Sequence, residues 1–549
     1  MFFWNLTSFL DNRFFKENFL LIFILLSSFV VRMFYLDPYY SVLDVQRDYF
    51  IANHIVSYGE FPLLGPIGGG GLVSVSTPFY YYFLALFLLI KNSILFLHLV
   101  NVFFQTALVL SIYLLAKNMF SKSTGFIAAV LFGFSQVTLS QSIHIYAPYI
   151  SQFFLYCSFL LLLLAHNKKS FNAFFGGIVA YVLSFSLYGL NLILAPIIFL
   201  FGTKIIKDTD IPAREYIKML IAVSCILFII YLPTVVYFYQ NDFGQEGSSG
   251  LFQVFLDKFN NASPRTLYNL SVHLQYLAGS FLPISNASHS FIGGTQVFTG
   301  LIIDHVLSKS WLFLLFILIV VGVIHLLTSK TFSRRKIFFL ITLTTIMFYV
   351  VLVASLKVAY VAVWHYTPIL GLFSILIAEA VNSVCCHYHN FYKLASIAFI
   401  FSSVCISPLS IEKLTDQISK PPIYKVRDAL IGEIELISQK DKRGINFFDI
   451  EEYLKSIGGS SGYFLTNPFF WNEIERHFDT RFTKILNTNS LHVLDTINSK
   501  KYIFLICQTS SAEGCTVYFS VKHPAHLLEK EIYKDDKFIV YLTRHSTDF

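Results

Sequence analysis

Apolar residues fill long uninterrupted stretches of this chain, and polar residues gather in the short gaps between them. Runs at residues 17–36, 95–116, 124–141, 147–165, 171–188, 190–206, 218–239, 310–328, 336–355, 361–382 and 391–409 follow this pattern. Each suits the roughly 17–25 residues that an α-helix needs to cross a bilayer. Strands of a membrane barrel would alternate apolar and polar residues instead. The pattern predicts an all-α polytopic membrane protein with about eleven transmembrane helices. One apolar segment is too short to join them. PFYYYFLALFLLIK, at 78–91, would reach only about 21 Å against a hydrocarbon core of about 30 Å. It is expected to lie at the interface or to re-enter.

The gaps set the orientation. KNMFSK, HNKKS, TKIIKDTDIPAREYIK and TSKTFSRRK are the most basic loops, and basic loops stay in the cytoplasm. With 78–91 not crossing, the N-terminus is cytoplasmic. Segments 37–94 and 240–309 are then exterior loops, and so is everything after the last span. Arg13 and Lys16 precede the first run, as in a signal peptide. The run is too long for a signal core and no small-residue cleavage site follows, so an uncleaved first span is expected. The expected location is the plasma (inner) membrane, crossed many times.

From about residue 411 the long runs stop and Lys, Glu and Asp become frequent. DIEEYLKSI reads as a short helix. KKYIFLIC, CTVYFSV, KEIYKD and KFIVYLTR read as strands, the last two joined by a turn at Asp535 and Asp536. The tail, 411–549, is expected to be a small extracytoplasmic α/β domain, and 1–410 the membrane domain. Cys507 and Cys515 flank a turn-like QTSSAEG. Outside the cell they are either a disulfide or two free thiols.

Composition agrees with the pattern. The chain is 55% hydrophobic and only 13% charged, about half the charge of a soluble domain. A net charge of +7 belongs to the cytoplasmic loops and calls for no nucleic-acid partner. The tract CCHYHN, at Cys385 to Asn390, has no second ligand cluster beside it and is not read as a metal site.

The candidate chemistry lies in the first exterior loop, SVLDVQRDYFIANHIVSYGEFPLLGPIGGGG, from Ser41 to Gly71. On a helix Asp44 and Asp48 stand at i and i+4, on one face. Val45, Ala52 and Val56 form a neighbouring apolar stripe that could rest on the membrane surface. Two carboxylates just above the bilayer suit a general base or a cation site. They also suit a solvated loop helix with ordinary acids. The four glycines at 68–71 are either a mobile lid or a plain linker. Tyr80 to Tyr82 follow as an aromatic cluster at the interface.

These residues resemble the first periplasmic loop of GT-C glycosyltransferases, which use polyprenyl-phosphate sugars. The nearest class is glycosyltransferase family 39 and its relatives: the protein mannosyltransferases, the lipid A aminoarabinose transferase and the RgtA/B/C/D-like proteins. Their loop begins D-E-A-R-Y-A-x-x-A at the membrane surface. DVQRDYFIA supplies Asp44, Arg47 and Ala52 at matching places. The family's G-x-x-P and P-P-L-Y-Y are similar to GEFP and TPFYYY, the latter including Tyr80. Its later R/H-Y-x-x-P is similar to HYTPIL, with His365 and Tyr366. The likeness spans about 20–410 in architecture and about forty positions in motifs. One departure stands out. Many of these enzymes carry a second acid in the next exterior loop, where this chain has SQSIHIYAPYISQ with His144 and no acid. Either Asp48 takes that part or one carboxylate is enough. The missing acid also leaves few hard oxygen ligands for a divalent metal, and no cofactor is expected.

The resemblance implies transfer of a sugar from a polyprenyl-phosphate donor to a hydroxyl of a lipid, glycan or protein acceptor at the outer face. Asp44 would be the base, with Asp48 the second catalytic acid. Lys357 and His365 would meet the donor phosphate, and Arg47, Tyr366 and Tyr80 would line the substrate site. Arg32, at the outer end of the first span, would anchor that span or pair with an acid such as Asp37 or Asp44. Two other classes fit the topology. A lipid-linked oligosaccharide polymerase or ligase would place key arginines in large exterior loops, and 240–309 holds only Arg265. A transporter or flippase would bury charge at mid-membrane and show internal symmetry. Glu379 is the nearest intramembrane acid.

Overall fold

A computed structural model gives the fold. It describes residues 13–34, 43–59, 61–65, 77–142, 145–208, 212–240, 324, 334–355, 366–387, 484–488, 491–495, 502–508, 526–534 and 538–545. The chain divides into two compact units. The first comprises Met1–Leu36, Gly65–Tyr80 and Leu97–Leu414, and the second Asp37–Leu64, Tyr81–Phe96 and Thr415–Phe549.

The helices, in chain order, are α1 (Arg13–Phe34), α2 (Leu43–Tyr58), α3 (Phe79–Leu88), α4 (Ile94–Met119), α5 (Lys122–Phe134) and α6 (Gln136–Ser140). Then follow α7 (Ala147–Lys168), α8 (Phe171–Leu187), α9 (Ala195–Asp208), α10 (Ala213–Gln240), α11 (Arg334–Ser355) and α12 (Thr367–His387). Among the described residues five helical stretches are long and apolar enough to cross a membrane: Leu95–Met119, Ala147–Lys168, Gly189–Asp208, Ala213–Tyr237 and Lys336–Val353. Apart from residue 324, the expected spans at 310–328 and 391–409 lie outside the described residues. Segment 78–91 forms a helix of only ten residues, about 15 Å long.

Two expected spans are built differently from a single helix. The run 124–141 breaks at Ser135, whose backbone is extended (φ −66°, ψ 144°). Its hydroxyl then caps α6 by accepting from the Thr138 N–H. The apolar pattern runs straight through, so only the serine marks the break. The run 190–206 opens with a 3₁₀ turn, Gly189–Leu194, before α9.

The faces of these helices suit a bilayer. On α1, Phe19, Phe23, Leu26, Val30 and Phe34 are exposed, whereas Ser28 and Arg32 are buried. Ile217, Leu220, Ile221, Phe228 and Ile229 are likewise exposed on α10. In water such apolar faces would need a cover. In a membrane the lipid supplies it, and polar groups turn inward.

Close packing holds the first unit together where side chains are small or absent. Tyr156 of α7 lies against the first turn of α12. Its hydroxyl donates to the Pro368 carbonyl (3.1 Å) and accepts from the Leu372 N–H (2.7 Å). A Cβ on Gly371 would come within 2.5 Å of the Tyr156 ring. A Cβ on Gly177 of α8 would come within 2.9 Å of Leu162 on α7. Those two helices form a tight hairpin: Lys169 is left-handed (φ 51°) and the Ser170 hydroxyl caps α8. At the start of α5 the Thr124 hydroxyl donates to the Glu379 carboxylate of α12 (2.7 Å), beside the cap Ser121. Glu379 thus places negative charge at a helix N-terminus, where the dipole favours it.

The second unit contains a five-stranded antiparallel sheet in the order β1-β2-β3-β5-β4. Its strands are β1 (Lys484–Thr488), β2 (Leu491–Asp495), β3 (Tyr502–Gln508), β4 (His526–Lys534) and β5 (Phe538–His545). Strands β3 to β5 fall where the sequence placed KKYIFLIC, KEIYKD and KFIVYLTR, and β4 and β5 form the expected hairpin. Strands β1 and β2 were not expected. The expected strand CTVYFSV, the helix DIEEYLKSI and Cys515 lie outside the described residues.

Candidate active site

Asp44, Arg47 and Asp48 all stand on α2, as the spacing implied. The helix is more buried than a loop helix resting on a membrane surface. Val45, Tyr49, Ile51, Ala52 and Ile55 are buried, and Asp48 is only 1% exposed. A carboxylate at that depth is costly unless it is matched, so the reading of Asp48 as a solvated surface acid does not hold. The side chains of Asp44 and Arg47 lie outside the described residues. Asp44 is one turn before Asp48, and their positions differ by about 40° around the helix.

Side chains from the second unit fix α2 in place. The Asn92 amide donates to Asn53 Oδ1 (2.6 Å), and the Tyr49 hydroxyl reaches Asn92 Oδ1 (3.5 Å). Asn92 therefore joins two successive turns of α2 to the connection between α3 and α4. The GEFP stretch is held in its turn by Tyr82. The Tyr82 hydroxyl donates to the Pro62 carbonyl, and its ring meets Phe61 edge-on at 5.6 Å. Burial pushes the Tyr82 hydroxyl up to about 12, so it stays a neutral donor. Residues 66–71, with the four glycines, lie outside the described residues.

In the first unit Thr77 caps α3, its hydroxyl accepting from the Phe79 N–H (3.3 Å). Tyr80 is buried, 1% exposed, and so is Tyr366 at the start of α12. Buried rings of this kind are not an interfacial belt. Lys357, His365 and His144 lie outside the described residues.

A polar network, missed in the sequence, occupies the end of the first unit where α4 and α7 begin. His98, Asn101 and Gln105 follow one another at i, i+3 and i+7 on α4, and all are fully buried. The Ile145 N–H donates to His98 Nδ1 (3.2 Å), and the Asn101 amide donates to the Gln141 carbonyl (2.9 Å). The Gln105 amide donates to the Tyr149 carbonyl (3.0 Å), and Gln152 reaches Gln141 Oε1 (3.4 Å). The loop from Gln141 to Tyr149 is thus tied to α4 by neutral groups. This is the loop in which the resemblance implied a second acid and the sequence has none. The signal in the sequence was three polar residues at helical spacing inside an apolar run.

The first unit also has a half-open apolar pocket of about 590 Å³ between α4, α7, α9, α11 and α12. Leu115, Leu163, Leu200, Phe338 and Ile341 line it, with Lys204 at its edge. Among the described residues no three His, Cys, Asp or Glu side chains converge as a metal site would require.

No protein-family model matches the chain, and no curated protein matches it. Solved structures do. The likeness is one of fold alone. ArnT from Cupriavidus metallidurans, bound to undecaprenyl phosphate, is similar over 96% of this chain and 98% of its own, with a TM-score of 0.57 and 10% identity. Its apo state is similar over the same shares, with a TM-score of 0.53. The archaeal oligosaccharyltransferase AglB from Archaeoglobus fulgidus, in complex with an inhibitory peptide and a dolichol-phosphate, is 15% identical. That likeness covers 83% of this chain but 66% of AglB, with a TM-score of 0.46.

Proposed function

We propose that the protein is a polytopic membrane glycosyltransferase that moves a sugar from a polyprenyl-phosphate donor to an acceptor hydroxyl. The acceptor is a lipid, glycan or protein of the cell envelope, met at the outer face of the plasma (inner) membrane. The observation that carries this reading is a carboxylate helix in a fold of this kind: α2 buries Asp48 and bears Asp44 one turn earlier. The full-length likeness to a structure that holds undecaprenyl phosphate supports it.

Asp44 takes the proton from the acceptor hydroxyl as its oxygen attacks the anomeric carbon. The bond from that carbon to the phosphate oxygen breaks, and its electron pair leaves with the polyprenyl phosphate. Asp48 orients Arg47 or the acceptor, or stands in for the second acid absent from the next loop. Lys357 and His365 stabilise the charge gathering on the leaving phosphate. Arg47, Tyr80 and Tyr366 shape the substrate site. The apolar pocket between α4, α7, α9, α11 and α12 offers hydrocarbon a place out of the lipid. Segments 37–94 and 240–309 and the domain 411–549 face outward, and the N-terminus faces the cytoplasm. The reaction needs no cofactor on this reading.

The test is to reconstitute the purified protein in liposomes with a panel of polyprenyl-phosphate sugars and envelope acceptors. The expected result is sugar on an acceptor and free polyprenyl phosphate in equal amounts. Transport of the intact donor with neither product would assign the protein to the flippases instead.

A further inference from the structure

Arg32 is the largest fully buried side chain of α1, with no exposed surface. All its hydrogen bonds use one nitrogen. Nη1 donates to the Ser28 carbonyl (3.2 Å), to the Ser28 hydroxyl and to the Gly133 carbonyl at the end of α5 (2.8 Å). Nε and Nη2 are buried and have no partner among the described residues. These two nitrogens share one edge of the guanidinium plane. That edge is the fork that takes the two oxygens of a phosphate or carboxylate side by side. The fold therefore fixes the guanidinium by its far corner and leaves the gripping edge unused.

A buried guanidinium cannot shed its charge, and a buried charge without a counterion is strongly unfavourable. Among the described residues no carboxylate pairs with Arg32; Asp37 and the side chain of Asp44, the expected partners, lie outside them. A snorkelling role is excluded, because the head group does not reach the surface. What the site lacks is an anion with two oxygens. We propose that Arg32 is a phosphate-binding residue whose Nε–Nη2 edge takes the phosphate of the isoprenoid lipid carrier. This rests on the sugar-transfer reading above and adds a residue to it. Held away from water, the pair gains more than it would at a surface.

The experiment measures binding of three probes to the purified full-length protein in detergent: undecaprenyl phosphate, undecaprenol and phosphatidylglycerol. Wild type should bind undecaprenyl phosphate well above undecaprenol. Arg32→Gln should weaken undecaprenyl phosphate about 10–100-fold, the range of one bidentate charged hydrogen-bond pair, and leave undecaprenol unchanged. Arg32→Lys keeps the charge but loses the fork, and should fall between them. Undecaprenyl phosphate, and not undecaprenol, should also slow amide exchange in residues 28–34 of wild type. Equal binding of undecaprenyl phosphate by wild type and a folded Arg32→Gln or Arg32→Lys would overturn the proposal. If neither variant folds, unchanged exchange at 28–34 on saturation would overturn it. Arg32-dependent binding of phosphatidylglycerol, with none of undecaprenyl phosphate, would keep a phosphate site and overturn the isoprenoid carrier. An Arg32 effect on undecaprenyl phosphate in a protein that transfers no sugar would keep this inference and sink the proposed function.

Discussion

Asp48 shows why a site residue cannot be weighed from spacing alone. The i, i+4 relation to Asp44 was visible in the sequence, and α2 has it. The depth of Asp48 was not visible, because a hydrophilic-looking loop gives no measure of what covers it. If Asp48 replaces the second acid, Asp48→Asn should lower transfer about 10²–10⁴-fold, the usual range for a lost acid or base. The double variant with Asp44→Asn should then be hardly worse than either single one, since groups acting as a unit are not additive. A steady-state comparison of the three variants checks this, and fully additive losses would separate the two roles. His365→Ala should raise the KM for the donor more than it lowers kcat if the imidazole meets phosphate in the ground state. Arg32 was read in the sequence as an anchor or as the partner of an acid. Its open edge became legible only when the partners of Nη1 were known.

At the scale of elements, the apolar runs located the helices but not their breaks. Ser135 divides one run because its hydroxyl satisfies the start of α6, a local gain that an apolar average does not register. The first turn of α12 depends on one ring. Tyr156→Phe removes a donor to Pro368 and an acceptor for Leu372, and should destabilise the protein by about 1–3 kcal/mol. Gly371→Leu forces a side chain into that ring and should cost about as much through overpacking. Thermal unfolding in detergent measures both, and unchanged melting of either would show that the contact is not maintained in the membrane. Strands β1 and β2 escaped the sequence reading because KILNT and LHVLD are short, and half of their residues are polar. They are recruited by pairing with β3, which was strongly apolar and was recognised.

For the whole molecule, apolar length and loop charge were enough to point to a polytopic helical protein. They could not show that the chain shares the fold of ArnT, because fold follows from how faces pair. Gly177 against Leu162 and Gly371 against Tyr156 are such pairings, and nothing in a hydropathy pattern ranks them. Topology is a prediction at this scale. A periplasm-active reporter fused after Phe549 should be active, and one placed after Lys168 should not. The reverse pattern would mean that 78–91 crosses. The central claim is sugar transfer from a polyprenyl phosphate with Asp44 as base. It is tested most directly by single-turnover transfer in proteoliposomes by wild type and Asp44→Asn. Asn keeps the shape and most hydrogen bonds but cannot take the proton, so transfer should fall about 10²–10⁴-fold while donor binding persists. Transfer by a folded Asp44→Asn at the wild-type rate would contradict the account.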